Sequence, residues 1–436
     1  MRLAAVLVLA GCRFGFTDQP TTDAAAPDAA LGLRAIAVQA NVSSTCALSS
    51  DGRVTCWGDN NWGKLGIPSG DVSPRGDQPG ELQLLKGIDF GTGVTATRIS
   101  SNVDYGCAVL SDTRVKCWGN NDGSQLGTAN YDHVGDEVGE MGDNWVAVLS
   151  GGGTNFDEVV TGHYHTCVRS SGSVWCWGIN DLGEAGLGDT VRHDSDQPTL
   201  PPVDLGTNFV PMQLASGFNQ TCALSTAGTI KCWGYGILGY GDNVTRGAQP
   251  GQMGDNLPVI PLGIGVTSSK IFMGFGTTCA ITSAGAVCWG DGSMGALGNG
   301  STALIGDDPN EVAALTPLAL GGTVTQLASG DEFTCALLAD GGVSCFGSNS
   351  DGQLCQGDTT TRGASPGDNL ATLRVPLGEP ATMVSAGGAH ACAVLRSGSI
   401  ACWGANDLGQ LGAGDTTTRG DNIGEVPFVI KASDLW

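Results

Sequence analysis

The chain has 436 residues, 70 of them Gly and 16 Cys, with only 14% charged and a formal net charge of −23. That balance argues against nucleic acid as a partner, since phosphate backbones are held through Lys and Arg, and against direct adsorption to anionic lipid. A chain this long normally makes two or three domains, unless it repeats.

At the N-terminus, Arg2 precedes a short apolar run, and Leu9-Ala10-Gly11-Cys12 ends it. The run is too short for a permanent membrane helix and fits an export signal over residues 1–11. Its ending resembles a bacterial lipobox, which implies cleavage before Cys12 and lipidation of that cysteine. Residues 12–30 contain TDQPTTDAAAPDAA, an acidic Ala- and Pro-rich stretch that reads as a disordered tether. Arg13 follows the lipid site and no Asp stands there, which by analogy with enterobacterial sorting points to the outer membrane, on its periplasmic or its outer side.

From residue 31 to 436 the chain repeats. TCALSSDGRVTCWG (Thr45–Gly58) returns as GCAVLSDTRVKCWG from Gly106. Aligning the copies pairs Cys46 with Cys56, Cys107 with Cys117, Cys167 with Cys176, Cys222 with Cys232, Cys279 with Cys288, Cys335 with Cys345 and Cys392 with Cys402. Trp-Gly follows the second Cys in six copies and Phe346-Gly347 in the other. Strand, Ser/Asp/Gly turn and strand lie between the cysteines, which is hairpin grammar. Pairing Cys46 with Cys56 leaves a three-residue turn around Asp51 and sets the sulfurs directly opposite, close enough to bridge. Each pair therefore reads as a disulfide stapling one hairpin, and seven of them require an oxidising compartment. The absence of Cys-x-x-Cys speaks against zinc. Cys167 and Cys176 sit one residue closer than in most copies, as do Cys279 and Cys288, and both pairs need a tighter turn or a bulge. Cys355 occupies the place of Gly412 and reads as a drifted repeat position.

Two further strand-like runs precede each hairpin. One is of Val-Pro-Leu type: Leu82–Leu85, Trp145–Leu149, Val203–Leu205, Pro258–Leu262, Leu318–Leu320 and Val375–Leu377. The other resembles Val324–Gly330. Four strands in seven units predict an all-β fold, a seven-bladed β-propeller of four-stranded antiparallel blades. The first unit lacks a Val-Pro-Leu run and Val426–Ile430 is surplus. The C-terminal strand is therefore expected to complete the N-terminal blade and close the ring.

GHYHTCVRSSGSVWCWGINDLGEAGLG (Gly162–Gly188) and HACAVLRSGSIACWGANDLGQLGAG (His390–Gly414) resemble the regulator-of-chromosome-condensation repeat. The resemblance covers about residues 31 to 430 and implies a seven-bladed propeller. Such propellers include a nuclear exchange factor for a small GTPase, chromatin binders and a secreted bacterial β-lactamase inhibitor. What they share is recognition of proteins through loops. The paired cysteines are a departure, as is a repeat His present only as His165 and His390.

The long segments after each Trp-Gly hold 28 of the 43 acids and 7 of the 20 bases. In an antiparallel blade they emerge on one face, together with the short link before each Thr-Cys-Ala-Leu strand. That face is therefore anionic and suited to a basic protein or envelope macromolecule, with salt-dependent steering. Asp136, Glu137, Glu140, His163, Tyr164, His165, Asp194, Asp307 and Asp308 are its candidate contact residues.

Other motifs dissolve into the repeat. Arg75-Gly76-Asp77 and Arg419-Gly420-Asp421 match Arg246-Gly247-Ala248 elsewhere. Gly363-Ala364-Ser365-Pro366-Gly367 lacks the strand and helix of a nucleophile elbow. Asp- and Asn-rich runs read as turns, not as Ca²⁺ loops. The sequence thus points to a monomeric, non-enzymatic binding propeller with no cofactor or metal, tied to membrane only through a lipid anchor. Its alternatives are a structural envelope protein without a ligand, an exchange-type regulator by family analogy, and an enzyme with a central-channel site.

Overall fold

The computed structural model describes residues 32–128, 130–148, 155–193 and 200–436. The export signal, Cys12 with its tether, and Asp194 lie outside the described residues. Leu33–Trp436 form one compact unit.

The described residues of that unit make seven antiparallel sheets, taken as blades 1 to 7 in chain order. Their first strands are Ala35–Ala40, Ala96–Asn102, Glu158–Thr161, Pro211–Ser216, Ser268–Met273, Val324–Ser329 and Ala381–Ala386. Each of these strands contacts its neighbours before and after, and the last contacts the first. They surround a central cavity of about 240 Å³. The middle strands carry the first Cys of each pair and the third strands carry the second Cys with the Trp-Gly.

The hairpin register is the one the sequence implies. Cys46 faces Cys56, Ala47 faces Thr55 and Leu48 faces Val54. All seven expected disulfides are formed, with Cα atoms 4.0 to 4.1 Å apart. Cys46 is bonded to Cys56, Cys107 to Cys117, Cys167 to Cys176 and Cys222 to Cys232. Cys279 is bonded to Cys288, Cys335 to Cys345 and Cys392 to Cys402. The shorter copies, which end at Cys176 and Cys288, manage it with two-residue turns. In blade 3, Ser170 pairs with Ser173 across Ser171 (φ 48°) and Gly172 (φ 82°), the two positive φ values of the hairpin turn that matches strand twist.

Two sequence expectations are corrected. Among the described residues six blades have three strands, and only blade 7 has a fourth, Phe428–Ile430. The Val-Pro-Leu runs approach the third strand of the preceding hairpin but make one backbone bond there, for example Val148 N–H to Val115 O, Ile260 N–H to Ile230 O and Val375 N–H to Val343 O. Proline is the physical reason in several copies. Pro201, Pro202, Pro258, Pro261, Pro317 and Pro376 remove the donors a ladder needs. In blade 1, Leu82–Leu84 is a short 3-10 turn instead.

The second correction concerns the C-terminal strand, which completes its own blade. Ile430 pairs with Ile400 and Phe428 with Cys402. Val426–Ile430 is therefore the seventh Val-Pro-Leu run, and each such run belongs to the hairpin before it. Contact with blade 1 comes one step later, where the Trp436 indole N–H donates to Thr55 Oγ1 at 3.0 Å.

The core is seven apolar clusters between adjacent blades. Ile99, Leu110 and Trp118 of blade 2, for instance, meet Leu48, Val54 and Leu65 of blade 1. Blades 7 and 1 are joined likewise, Val394, Ile400 and Leu411 meeting Val38, Ala47 and Trp57. The repeated Trp is fully buried in all six copies and its indole N–H donates to a loop carbonyl of the preceding blade. The pairs are Trp118 to Lys64 O, Trp177 to Gln125 O, Trp233 to Glu184 O, Trp289 to Leu238 O, Trp403 to Gln353 O and Trp57 to Gln410 O, at 2.9 to 3.2 Å. The glycine after Trp has to be glycine. At Gly58 φ is 103°, and a Cβ would stand 2.6 Å from Ser43 O.

Candidate functional site

Strand direction sorts the connections. The first-to-middle links and the long segments leave one face; the hairpin turns leave the other. On the loop face each long segment folds back on its blade through a bridge at the Trp-Gly glycine, such as Gly58 with Arg75 and Gly404 with Arg419.

Much of the loop acidity is structural. Carboxylates close the segment turns by accepting backbone N–H groups, Glu81 from Gly76 and Gln78, Glu311 from Gly306 and Asp308, and Glu425 from Gly420 and Asn422. Asp71, Asp242, Asp358 and Asp415 pair with Arg75, Arg246, Arg362 and Arg419. The Arg-Gly-Asp tripeptides are thus loop hardware. Asp143 and Asp255, in the returning part of their segments, bind Thr92 and Thr207.

The predicted contact residues separate accordingly. Glu140 turns into its own loop, its Oε2 accepting from Gly135, Asp136 and Glu137 N–H at 2.9 to 3.2 Å. Glu137 and Asp308 are exposed, while Asp136 and Asp307 are half-buried. His165 does not reach the face: it is 1% exposed, and its Nε2 lies 2.8 Å from Thr221 Oγ1 and 3.0 Å from Ser216 Oγ in blade 4. His390 is its counterpart between blades 7 and 1, with Nε2 2.9 Å from Thr45 Oγ1. Burial holds both imidazoles at a pKa of about 3. A side chain at a repeat position points into the sheet interface, and that is why this His is structural.

His163 and Tyr164 are on the face, half-buried, and they open onto residues the sequence reading passed over. The seven links form a rim round the mouth of the central channel. Backbone bonds tie several neighbours, among them His163 N–H to Phe218 O, Phe275 N–H to Gly330 O and Gly388 N–H to Asn41 O. Along blades 3 to 5 this rim is aromatic. The His163 ring lies 3.8 Å from the Tyr164 ring and 3.9 Å from Phe218, and Phe218 lies 5.7 Å from Phe275. All four are half-buried. Tyr235, 52% exposed, stands beside them, its N–H bonded to Asn219 O.

Carboxylates flank the crescent. Asp104 and Asp122 lie close enough to the Tyr164 phenol to raise its pKa, after burial as the main cause. At the other end Asp331 is pushed up by burial and then by the charge of Asp291. Lys64, 2% exposed, is held between Asp59 at 2.6 Å and Asp104 at 2.9 Å, which leaves that group one net negative charge.

The polar lining of the channel consists of hydroxyl and amide side chains, including Gln39, Asn41, Ser100, Thr161, Gln213 and Ser329, beside apolar ones such as Phe272, Met273 and Met383. Among its described lining residues there is no carboxylate, imidazole, amine or thiol. Several of these groups bind the blades to each other: Gln213 bridges to Ile271 O and N–H, and Gln326 does the same to Val384. Cys355 is buried with φ 52°, the backbone of the glycine it replaces, and burial raises its thiol pKa to about 12.

The Regulator of chromosome condensation (RCC1) repeat matches residues 35–63, 156–184, 324–353 and 383–410. The human E3 ubiquitin-protein ligase HERC2 is 32% identical over 263 residues, which are 59% of this chain and 5% of that protein. The Ultraviolet-B receptor UVR8 of Arabidopsis thaliana is 29% identical over 267 residues, 59% of this chain and 55% of the receptor. The chain thus spans little of the one and about half of the other. Among solved structures, Prp20p from Saccharomyces cerevisiae, described with its binding properties to Gsp1p and histones, superposes with a TM-score of 0.64 at 18% identity. That match covers 91% of this chain and 87% of Prp20p. Human WBSCR16 gives 0.61 at 17% identity, over 83% and 87%.

Proposed function

This chain is an RCC1-repeat β-propeller, and on that premise we propose that it is a non-enzymatic binding protein that receives a basic protein partner on its loop face. The observation that carries the reading is the break in repeat symmetry at the channel mouth. The link has the same structural job in every blade, yet blades 3 to 5 fill it with half-exposed aromatics. Half-open rings beside carboxylates are more than the blade contact at this link needs, since other blades manage it with Val42, Asp331 or Gly388, and aromatic side chains are enriched where proteins meet. Prp20p, which has this fold, is a binder of proteins. The channel lining, whose polar groups are amides and hydroxyls, supports a binding role over a catalytic one.

The same proposal places the protein in the cell envelope on a lipid anchor at Cys12. Seven buried disulfides support an oxidising compartment, and the lipobox-like ending supports acylation. The chain enters blade 1 on the hairpin-turn face, with Ala35 N–H on Gly398 O and Ser50 N–H on Arg34 O.

Cross-linking on intact cells followed by mass spectrometry tests the reading, with wild type compared against Glu137→Lys/Asp308→Lys. The expected result is a basic protein captured by the wild type and lost with the charge-reversed face. Equal capture by both, or none by either, refutes it. Incorporation of labelled fatty acid that disappears in Cys12→Ala tests the anchor separately.

A further inference from the structure

We propose that the channel mouth is a docking cleft for an arginine-bearing segment of the partner, with Tyr164, His163, Phe218 and Phe275 providing ring faces and Asp122, Asp291 and Asp331 the opposing charge. This rests on the reading of the loop face as the partner surface and names what that face grips.

The fold does not ask for these rings. At the same link other blades carry Val42, Asp104, Asp331 or Gly388, and the backbone bonds to the next link are kept at Asp331 and Gly388, which have no ring. The two contacts closest in space, His163 with Tyr164 and with Phe218, are tilted by 34° and 33°, so the rings form a shallow curved wall with no flat stack to bury them. Left half-open, they present π faces to whatever occupies the mouth. Those faces are electron-rich, and a cation over them is attracted by about 0.5–2 kcal/mol per contact.

Charge then selects the occupant. An anion would meet Asp122 beyond Tyr164 and the Asp291–Asp331 pair beyond Phe275. A neutral ring stacker would leave those carboxylates unused. A cation satisfies both sets of groups. Asp331, raised first by burial and then by the charge of Asp291, is a carboxylate with a second one near it, so an incoming positive charge is stabilised there. Guanidinium suits this better than ammonium, because it is planar, stacks on rings and sheds water more easily. His163 favours the same ligand: burial lowers its pKa, so near neutral pH it adds a ring face and no charge.

The test is fluorescence anisotropy of a fluorescein-labelled peptide of four Gly-Arg repeats, with the Gly-Lys peptide as comparison, on the full chain at low salt. Phe218→Leu/Phe275→Leu keeps apolar bulk and removes two rings. Asp122→Asn/Asp331→Asn keeps the rings and removes charge. Glu137→Gln/Asp308→Gln changes the outer loops only. The expected outcome is tighter binding of the arginine peptide than the lysine peptide, and weakening by about five- to tenfold in the first variant. The second should weaken binding and flatten its salt dependence, and the third should change it less than twofold. Far-ultraviolet circular dichroism and melting check that the variants fold, and the second variant stands as the test if the first does not. Wild-type affinity retained in the ring and charge variants overturns the cleft. If affinity is lost only in the outer-loop variant, the loop face is still the partner surface, and only the cleft has failed. Binding of neither peptide by wild type also overturns the cleft, while the cellular cross-linking judges the wider reading.

Discussion

Two buried histidines make the stability of this propeller pH-dependent in a window where surface groups contribute little. His165 and His390 are 1% and 0% exposed, each with Nε2 on a hydroxyl of the next blade. Their pKa falls from 6.5 to about 3 because burial disfavours the charged ring. The unfolded chain therefore takes up protons on these residues below pH 6.5 while the fold does not. Their stabilising effect is complete above pH 6.5 and is lost progressively as the pH falls towards 3. At pH 5 an unfolded imidazole is favoured by about 2 kcal/mol through protonation, so two sites cost about 4 kcal/mol relative to pH 7.5. His165→Gln/His390→Gln removes the effect with a residue the fold already accepts, since Gln220 holds that position in blade 4. Urea unfolding at pH 7.5 and 5 should show wild type losing about 4 kcal/mol more than the variant. Carboxylates with lowered pKa, such as Asp358 at about 2, lose their contribution mainly below pH 5 and are common to both proteins. Parallel losses in wild type and variant would mean that these rings are not held neutral, and the reasoning would fail.

Trp118→Phe should destabilise more than Trp177→Phe, by about 1–3 against at most about 1 kcal/mol in urea melts. Lys64 O loses its indole donor, whereas Gln125 O keeps the Thr166 hydroxyl at 2.8 Å. Phe346 shows the tolerated case, with Thr334 Oγ1 donating to Ala296 O. Cys46→Ser/Cys56→Ser should cost about 2–3 kcal/mol by denaturant unfolding, as expected for a small closed loop. In a Cys12→Ala chain the native protein should expose almost no thiol to an aromatic disulfide reagent with or without mild reductant, because Cys355 and the seven disulfides are buried; rapid labelling before unfolding would contradict that. Association with a basic partner should slow as salt rises, and Glu137→Gln/Asp308→Gln should reduce the salt slope of the on-rate in stopped-flow measurements.

What the sequence discloses here follows from what the repeat repeats. The paired cysteines fix hairpin register because only directly opposed residues can be bridged, and the Trp-Gly or Phe-Gly after them marks the blade edge seven times over. Blade membership of Val426–Ile430 was less legible. A strand-like run at a unit boundary fits either neighbour equally well on pattern alone, and backbone bonding decides it. The strand count failed for a related reason: a short apolar run with Pro inside it looks like a strand but lacks donors for a ladder, and only where three residues follow the Pro, as after Pro427, does a fourth strand pair. For the face, charge placed the loops correctly but could not separate Glu140, which closes its own turn, from Glu137, which faces water. Phe218 and Phe275 were visible in principle. Aligning the two or three residues ahead of each Thr-Cys shows aromatics in three consecutive units where the rest carry small, acidic or aliphatic residues.

The division of labour explains why function hides from the repeat. Every junction between blades uses the same parts, an apolar cluster, a buried Trp or Phe and a glycine at the tight approach, and three of them add a Thr hydroxyl on the loop carbonyl. Stability in such an array is a sum of similar interfaces, so any one link on the rim contributes little to holding the ring. The link backbone is held in part by its neighbours through bonds such as Gly388 N–H to Asn41 O, and the side chains that serve it differ from blade to blade, an ion pair at Asp104 and rings at His163 and Phe218. Positions of that kind are free to differ between blades, and a partner contact can only be written where difference is permitted. The His163, Tyr164, Phe218 and Phe275 crescent is such a difference, set on a scaffold whose regularity supplies the rigidity that binding requires.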